Sequence, residues 1–550
     1  MDQLTFTPLG GIGDVTKNMY LYEYQNQILI VDCGLGFPDE TMLGVDLLLP
    51  DISHLLELLK KGKRIVGMVI THGHEDHMGA LPFILPQLPQ FPIFASPLTA
   101  AMANEKLKEF NIRTRVQTTN FTAQHSLGPF TFTLIRVTHS IPDTAHIFIK
   151  TPAGNFYHGS DYKFDHTPYD KKVSDIAKIE EVAKEGITAL FTDCLGSERK
   201  GRTGSEEPLL GVFERELANC KGKFIVTTYS SNVSRLNQVI KASEKFGRKV
   251  CFVGRSLIKV KDVAKDLGYL QMRPGTEIDI RKLRNYRDHE LTLLIAGSQG
   301  QEDSAMTRVA NDEHRDVRLS SNDLVVFSAD PIPGYEISVY ELVDTIARKD
   351  IKVLYTAVSS EFHVSGHGSQ EEIKELIQLT KPKKLIPISG TFRHMYAYKN
   401  LAMDLGYKRQ DILLVDDGQE IIFGKEGAHL GRLIPTKNVY VDEVSGEKME
   451  SFVLRDRQQL SKAGIVIVLA EVASNGQLAG SPDVIVRGFN ADVKKLNEQL
   501  FRDLKNVLGT NRGRVINWQH IKSLIEDAVE RRIQKDLGHS PLVLPVVIEV

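Results

Sequence analysis

The chain has none of the features that mark a membrane or secreted protein. No apolar run in its 550 residues approaches the ~18 that a membrane-spanning helix needs. The start, Met1-Asp2-Gln3-Leu4, carries neither a basic stretch nor an apolar one, so no secretory signal is expected. Only four cysteines occur, Cys33, Cys194, Cys220 and Cys251, and none share a C-x-x-C spacing. They predict reduced thiols and a cytoplasmic location rather than a disulfide framework. Neither sign of charge dominates, since 68 Lys and Arg face 70 Asp and Glu. A chain so balanced has no whole-molecule field to hold nucleic acid, so any such contact must come from local basic patches. Internal repeats, low-complexity tracts and long structureless linkers are also missing. What remains is an ordinary globular composition, 42% hydrophobic and 25% charged, long enough for roughly two to four domains.

Against this plain background one stretch stands out: Thr71-His72-Gly73-His74-Glu75-Asp76-His77. It follows the apolar run 65–70, which reads as a buried strand. A strand ending in H-x-H-x-D-H presents imidazoles and a carboxylate from one sharp turn. That donor set suits zinc and, to a lesser degree, manganese. The spacing lets His72 and His74 face one metal while Asp76 and His77 face another. The plain alternative is a solvated polar loop. Two downstream residues argue against it: His139, at the end of the alternating run 130–137, and Asp161, after the strand-like 154–157. Alone, each would be weak evidence, because a single strand-end histidine is more often a hydrogen-bonded structural residue.

The remaining pattern is a βα rhythm. Runs 28–33, 65–70 and 130–137 predict strands, and 98–110 and 173–186 predict helices. From about 205 a second series begins, with short apolar strands over 223–228, 250–253, 291–296 and 324–328. Helices over 234–246 and 335–348 separate several of them, as in a parallel, helix-covered sheet. Further runs, 352–358 and 384–388, follow. A last unit begins near 450, with a strand over 464–469, helices over 491–507 and 518–535, and a terminal strand over 543–550.

Taken together, H-x-H-x-D-H, a distant histidine and a later aspartate resemble the metallo-β-lactamase arrangement. The resemblance implies a four-layer αβ/βα sandwich with a two-metal site. It gives one metal to His72, His74 and His139, the other to Asp76 and His77, and makes Asp161 the bridge. Asp32, in Val31-Asp32-Cys33-Gly34, matches the first motif of that family and is expected to orient a ligand. Further motifs narrow the likeness. Gly10-Gly11-Ile12-Gly13, Asp32-Cys33-Gly34-Leu35, Met42-Leu43-Gly44-Val45-Asp46, His139-Ser140-Ile141-Pro142-Asp143 and Asp161-Tyr162-Lys163-Phe164-Asp165 resemble ribonuclease J. So do Gly297-Ser298-Gln299-Gly300, Pro331-Ile332-Pro333-Gly334, His363-Val364-Ser365-Gly366-His367, Val453-Leu454-Arg455-Asp456-Arg457 and the terminal run 542–550. The resemblance spans essentially the whole chain.

Ribonuclease J is a β-CASP metallo-β-lactamase nuclease. The likeness therefore implies an α/β protein with the catalytic domain in two parts, residues 1–200 and 356–448. An inserted β-CASP parallel-sheet domain over 201–355 lies between them, and a small α+β C-terminal domain covers 449–550. The implied activity is hydrolysis of RNA phosphodiester bonds by metal-activated water, as a 5′-to-3′ exonuclease with endonuclease action also open. Two metals ~3.5–4 Å apart lower the pKa of a water and support both oxygens of an in-line phosphoryl displacement. Two zinc ions are expected, with manganese or magnesium as alternatives. His367 matches the family position for the general acid, and Asp193 the acid that orients it; their plain readings are a loop residue and a cap or turn residue.

The loops carrying Ser298, Gln299, Ser328 and Ser365, with His363, are expected to hold a 5′-phosphate or backbone phosphates. The expected partner is single-stranded RNA with a 5′-monophosphate, and the C-terminal unit is expected to build a homodimer or homotetramer. Basic clusters at Arg199-Lys200-Gly201-Arg202, 281–287 and Asn511-Arg512-Gly513-Arg514 are solvated faces unless they line an RNA path. One departure stands out. The family has a metal-binding histidine in a V-H-G-E-type motif, where this chain has Ile388-Ser389-Gly390-Thr391. Ser389 is a poor zinc ligand, so the second metal should bind more weakly or be absent. His394 is too far along to replace it. Ser234 also stands where the family usually has histidine. These two serines keep open a second reading, a catalytically weakened paralogue that binds RNA or pairs with an active related ribonuclease. A third, a small-molecule hydrolase, fits poorly with so large an insertion.

Overall fold

The computed structural model describes residues 2–39, 41–332, 334–442, 448–473, 478–489, 492–509, 518–538 and 540–550. Pro333 and the cluster Asn511-Arg512-Gly513-Arg514 lie outside them. The chain forms two compact units, Met1–Phe37 with Leu48–Val439, and Pro38–Leu47 with Tyr440–Val550.

The larger unit is built on two facing sheets, the sandwich that the resemblance implies. One sheet has eight strands in the order Gly427–Leu433, Gln419–Gly424, Leu4–Gly10, Met19–Tyr24, Gln27–Val31, Arg64–Ile70, Ile93–Ala95 and Val116–Thr118. The other has six, in the order Lys384–Ile388, Ala189–Asp193, Gly154–Gly159, Ala145–Thr151, Phe130–Arg136 and Gln124–Leu127. Their inner faces meet through large side chains. The rings of Phe6 and Phe191 lie 4.2 Å apart, and Tyr22 stands edge-on to Phe191 at 5.5 Å. Tyr22 is fully buried, and its hydroxyl meets His158 Nδ1 at 2.9 Å, so the core carries its polar tip without an unmade bond. Helices Ile176–Ala183, Gln370–Thr380 and Phe392–Asp404 bury Ile179, Ile373, Leu376 and Tyr398 against the same core.

Register decides where the functional side chains emerge. Gln27–Val31 and Arg64–Ile70 run parallel with Val31 opposite Val69, so Asp32 and Thr71 leave the sheet side by side. In the second sheet Gly159 lies opposite Thr192 and Asp193 opposite Ile388, both pairings parallel. Asp161, Asp193 and Ser389 therefore leave one sheet edge together. Carboxyl ends of parallel strands are the usual place for a site in an open sheet of this kind.

Asp193 and Lys384 belong to adjacent strands, and the chain between them makes one long excursion. It contains a five-stranded parallel sheet ordered Lys249–Val253, Leu291–Ile295, Phe224–Thr227, Leu324–Phe327 and Lys352–Leu354. Leu291–Ile295 and Leu324–Phe327 are buried at every position, as strands covered on both faces must be. Within the run 352–358 the strand ends at Leu354 and belongs to this inserted sheet, because the Tyr355 carbonyl accepts from both Val358 N and Ser359 N and turns the chain. The helix expected over 173–186 is shorter, Ile176–Ala183, because Asp175 caps it by accepting from Lys178 N at 3.0 Å. Arg235, wholly buried, ties separate segments of this excursion together: it donates to the Ser328 and Phe362 carbonyls at 3.0 and 3.1 Å and to Glu206 Oε2 at 2.9 Å.

The smaller unit has a three-stranded sheet, Asp483–Arg487, Ile465–Val472 and Leu542–Glu549. Val466, Val468, Ala470 and Val472 share one face by the two-residue period of a strand, and pack on Leu500, Leu504, Ile525 and Val529 of helices Val493–Gly509 and Trp518–Leu537. All four cysteines are unpaired. No described helix is long and apolar enough to cross a membrane.

Candidate metal centre

The turn after Ile70 is held from beneath by one carboxylate. Asp32 adopts a left-handed backbone, φ 61°. Its Oδ1 accepts from Thr71 N at 2.7 Å, and its Oδ2 accepts from Thr71 Oγ1 and His77 Nδ1, both at 2.8 Å. This fixes the start and the end of the histidine turn with one side chain. Gly34 is required beside it, since a Cβ there would lie 1.7 Å from the Asp76 carbonyl oxygen.

His72, His74 and His139 converge. His74 Nδ1 lies 3.1 Å from both His72 Nε2 and His139 Nε2. Asp161 Oδ2 stands 3.8 Å from the first and 4.0 Å from the second of those Nε2 atoms. The far sides of the rings are occupied: His139 Nδ1 meets the Gly366 carbonyl at 2.8 Å, and His72 Nδ1 meets Thr71 Oγ1 at 3.0 Å. Those outer bonds turn the inner nitrogens toward one another as lone-pair donors. Burial, helped by neighbouring imidazoles, keeps His72 and His139 well below the ordinary histidine value, and burial brings His74 down to about 3. Neutral nitrogens facing each other around a buried carboxylate suit a cation, and Asp161 Oδ1, buried without a partner, adds an unmet acceptor.

A second group consists of Asp76, His77 and Asp161. His77 Nε2 is 3.3 Å from Asp161 Oδ2 and 3.6 Å from Asp76 Oδ2. Burial alone would depress His77, but Asp161, Asp76 and Asp32 together lift it well above its ordinary value. Burial lifts Asp76 to about 6. A third group joins Asp161, Asp193 and His367. His367 Nδ1 donates to Asp193 Oδ2 at 2.7 Å, while its Nε2 lies 4.0 Å from Asp161 Oδ2. Burial would lower His367, yet Asp193 and Asp161 raise it. Its loop is anchored by Thr203 Oγ1, which donates to the His367 carbonyl at 2.8 Å. Gly366 must be glycine, because a Cβ would come within 2.7 Å of the His139 ring.

The residues expected to hold phosphate are more dispersed in their bonding. Ser328 is wholly buried, and its hydroxyl is taken up by Arg235 and the Phe362 carbonyl. Gln299 spends its amide on the Asp330 carbonyl and Ile332 N. Ser298 is buried, with its hydroxyl 3.4 Å from Gln299 Nε2. Ser365 Oγ accepts from His367 N at 3.2 Å. His363 is held at about 3 by burial and by Arg235, and its Nδ1 is buried without a partner. Arg202 pairs with Glu375 and Arg281 with Asp279, so those basic clusters are already partly neutralised. His394 caps its own helix through Thr391 and belongs to none of the three donor groups. Ser234 lies in the first turn of helix Val233–Lys245.

Asn18 was not legible as a site residue. It follows Thr16-Lys17 and precedes a strand, so it reads as a turn residue. In the structure its Nδ2 lies 3.2 Å from His77 Nε2, and its Oδ1 accepts from Ser389 Oγ at 3.2 Å. Only the folded chain brings residues so far apart together.

Comparison with known proteins agrees along the length of the chain. Residues 12–160 match the metallo-beta-lactamase superfamily, and residues 221–346 the beta-CASP domain of ribonuclease J. Residues 356–412 match the Zn-dependent metallo-hydrolase RNA specificity domain, and residues 452–550 the ribonuclease J C-terminal domain. Ribonuclease J2 of Bacillus subtilis is 33% identical over 553 residues, 98% of each chain. Ribonuclease J of Synechocystis is 35% identical over 98% of this chain and 86% of its own. Ribonuclease J of Thermus thermophilus is 34% identical over 100% of this chain and 96% of its own. A crystal structure of an Enterococcus faecalis protein of unknown function superposes with a TM-score of 0.54 at 17% identity, covering 76% of this chain and all of that one, a likeness of fold alone. Sandwich, inserted parallel sheet and C-terminal unit thus follow one known order, and the chain belongs to the ribonuclease J family.

Proposed function

We propose that this chain hydrolyses RNA from a 5′-monophosphorylated end, releasing nucleotides stepwise, with internal cleavage as a secondary activity. Family membership makes it a metal-dependent ribonuclease. The observation that carries the reading is the convergence of three donor groups on Asp161. His72, His74, His139 and Asp161 would hold one divalent metal, and Asp76, His77 and Asp161 a second. Zinc fits the imidazole-rich group, and manganese or magnesium fits the carboxylate-rich one. Bound there, such metals activate water and neutralise charge on the scissile phosphate.

The chain's own residues do the rest. Asp161 sets the reacting position, because every group includes it. His367 keeps Nε2 toward that position while Asp193 holds Nδ1, so a proton at Nε2 can pass to the leaving oxygen. Asp193 in turn is fixed by accepting from Leu195 N at 2.8 Å. The loops of Ser298, Gln299, His363 and Ser365 are assigned to the 5′-phosphate, with the unpartnered His363 Nδ1 as support. Ser328 serves indirectly by fixing Arg235. We assign residues 1–200 and 356–448 to catalysis, 201–355 to the RNA-facing insertion, and 449–550 to assembly of a homodimer or homotetramer. A second reading, a weakened subunit that binds RNA beside an active relative, is favoured by Asn18 and Ser389 at the second group.

The test is cleavage of 5′-monophosphorylated RNA with added manganese, zinc or magnesium and an Asp76→Ala control. Mononucleotides released from the 5′ end, and lost in the control, support the exonuclease. Internal fragments shift the assignment to endonuclease action. RNA bound but uncut with every metal favours the weakened subunit.

A further inference from the structure

The loop that carries His139, residues 138–144, joins strand Phe130–Arg136 to strand Ala145–Thr151. Its base is closed, since Val137 N donates to the Thr144 carbonyl at 3.1 Å and Thr144 Oγ1 to the Ile141 carbonyl at 2.9 Å. It also rests on the histidine turn. Ala145 N donates to the Thr71 carbonyl at 3.0 Å, Ser140 Oγ stands 3.4 Å from His74 Nε2, and a Cβ on Gly73 would come within 3.1 Å of the Ile141 side chain. The loop turns at Asp143, which is buried and left-handed, φ 62°. Such a backbone persists in a residue other than glycine where its surroundings fix it. Asp143 Oδ1 accepts from Arg136 Nη1 at 2.9 Å, and Lys172 Nζ lies 3.9 Å from the same oxygen. Its Oδ2 accepts from Tyr269 Oη.

Arg136 and Lys172 precede the inserted domain, but Tyr269 lies within the beta-CASP stretch 221–346, just past helix Arg255–Asp266. Its backbone is held on both sides. Its N–H donates to the Ala264 carbonyl at 2.8 Å, and its carbonyl accepts from Asn237 Nδ2 at 2.8 Å. Lys172 Nζ sits 4.6 Å from the centre of its ring. Burial, and then Asp143, hold the hydroxyl above its ordinary value, so it stays protonated and donates. Lys259 and Glu109, paired at 2.7 Å, also join the two parts of the chain, through helix Pro97–Glu109 rather than through the loop. We infer that Tyr269 is a positioning residue for the cleavage reaction: through Asp143 it fixes the loop that aims His139 at its donor group. The inserted domain thereby takes part in shaping the metal site. This rests on the reading of His139 as a metal ligand.

The experiment is Tyr269→Phe in the full-length protein, which removes one hydroxyl and keeps the ring beside Lys172. Cleavage of 5′-monophosphorylated RNA is followed with manganese. Zinc binding is followed by calorimetry, which reads His139 whether or not the chain cleaves. Loss of a group that orients a metal ligand directly costs about 10- to 100-fold, and Tyr269 acts one contact further out. So kcat should fall about three- to tenfold with KM within about twofold, and the tightest zinc should bind about three- to tenfold more weakly. Asp143→Gly tests the route, because glycine accepts the left-handed backbone and offers Tyr269 no partner. In that background Tyr269→Phe should change nothing further, since both substitutions break one bond. Lys259→Ala cuts the other bridge and should leave kcat and zinc affinity as they were, with thermal melting checking that each variant folds. Unchanged zinc affinity in Tyr269→Phe would overturn the inference. So would a rise in KM alone, an equal loss in Lys259→Ala, or a further loss when Tyr269→Phe is added to Asp143→Gly. Weakened zinc in a chain that cleaves no RNA would uphold the inference and remove the exonuclease reading, whereas a chain that binds no zinc would remove both.

Discussion

The donor groups around His74 and around His77 share one carboxylate oxygen and reach a cation by opposite means. Around His74 the donors are neutral imidazoles, aimed inward by a backbone carbonyl behind His139 and a hydroxyl behind His72. Around His77 the donors are mostly charged, and the ring is backed by a third carboxylate, Asp32. The first group is prepared by removing protons, since burial keeps its rings neutral. The second is prepared by accumulating negative charge, which raises its histidine instead. Imidazole-rich sites favour zinc through directed lone pairs, whereas carboxylate-rich sites attract cations with less demand on geometry. One fold edge thus offers two coordination chemistries a few ångströms apart.

The largest break in this comparison is Asp161→Asn. Only this residue belongs to both groups, and it also faces His367. We expect cleavage to fall at least about 1000-fold, equivalent to more than about 4 kcal/mol of barrier. Metal counting should show both affinities lowered. A variant that loses only the weaker cation would show that Asp161 is not shared. Next in size is His367→Ala, which removes the proposed proton donor and leaves both donor groups intact. A fall in kcat of about 100- to 10,000-fold is expected with the metal count unchanged. A fall in metal content would make His367 a ligand and erase the distinction between the groups. Asp193→Asn should act in the same direction and more weakly, by about 10- to 100-fold, because it orients His367 and does not touch substrate.

How much of this was legible in the sequence depended on whether the physics was local. Runs such as 291–296 and 324–328 read as strands because burial on both faces demands uninterrupted apolar residues. The metal turn read plainly because His72, His74, Asp76 and His77 are neighbours in sequence. Strand Met19–Tyr24 was not read, since Glu23 breaks its apolar pattern, yet Glu23 is buried against Lys63. His367 and Asp193 were reached only by resemblance, because their meeting depends on a parallel sheet edge closed across a long excursion. Asn18 was missed altogether. Its role comes from Tyr20 nearby, Asp76 and His77 after the next parallel strand, and Ser389 near the far end of the catalytic unit, and no local pattern encodes that meeting. Ser389 itself was noticed as an absence, and the structure gives that absence a content: the hydroxyl bonds Asn18.

The finest separation of the two groups comes from Asp32→Asn. Asp32 touches His77 and Thr71 but no ring of the His74 group. An asparagine of the same shape keeps an acceptor for either Thr71 N or His77 Nδ1, and it removes the negative charge behind the ring. His77 then becomes a less basic ligand, and the second cation should bind about 10- to 100-fold more weakly, while the first is held as before. Calorimetric titration with manganese reads the two steps separately. Equal weakening of both would mean that Asp32 holds the whole turn as a mechanical support through Thr71. Weakening of the second alone would mean that its charge, passed through one imidazole, is what the acidic group uses in place of a fourth ligand.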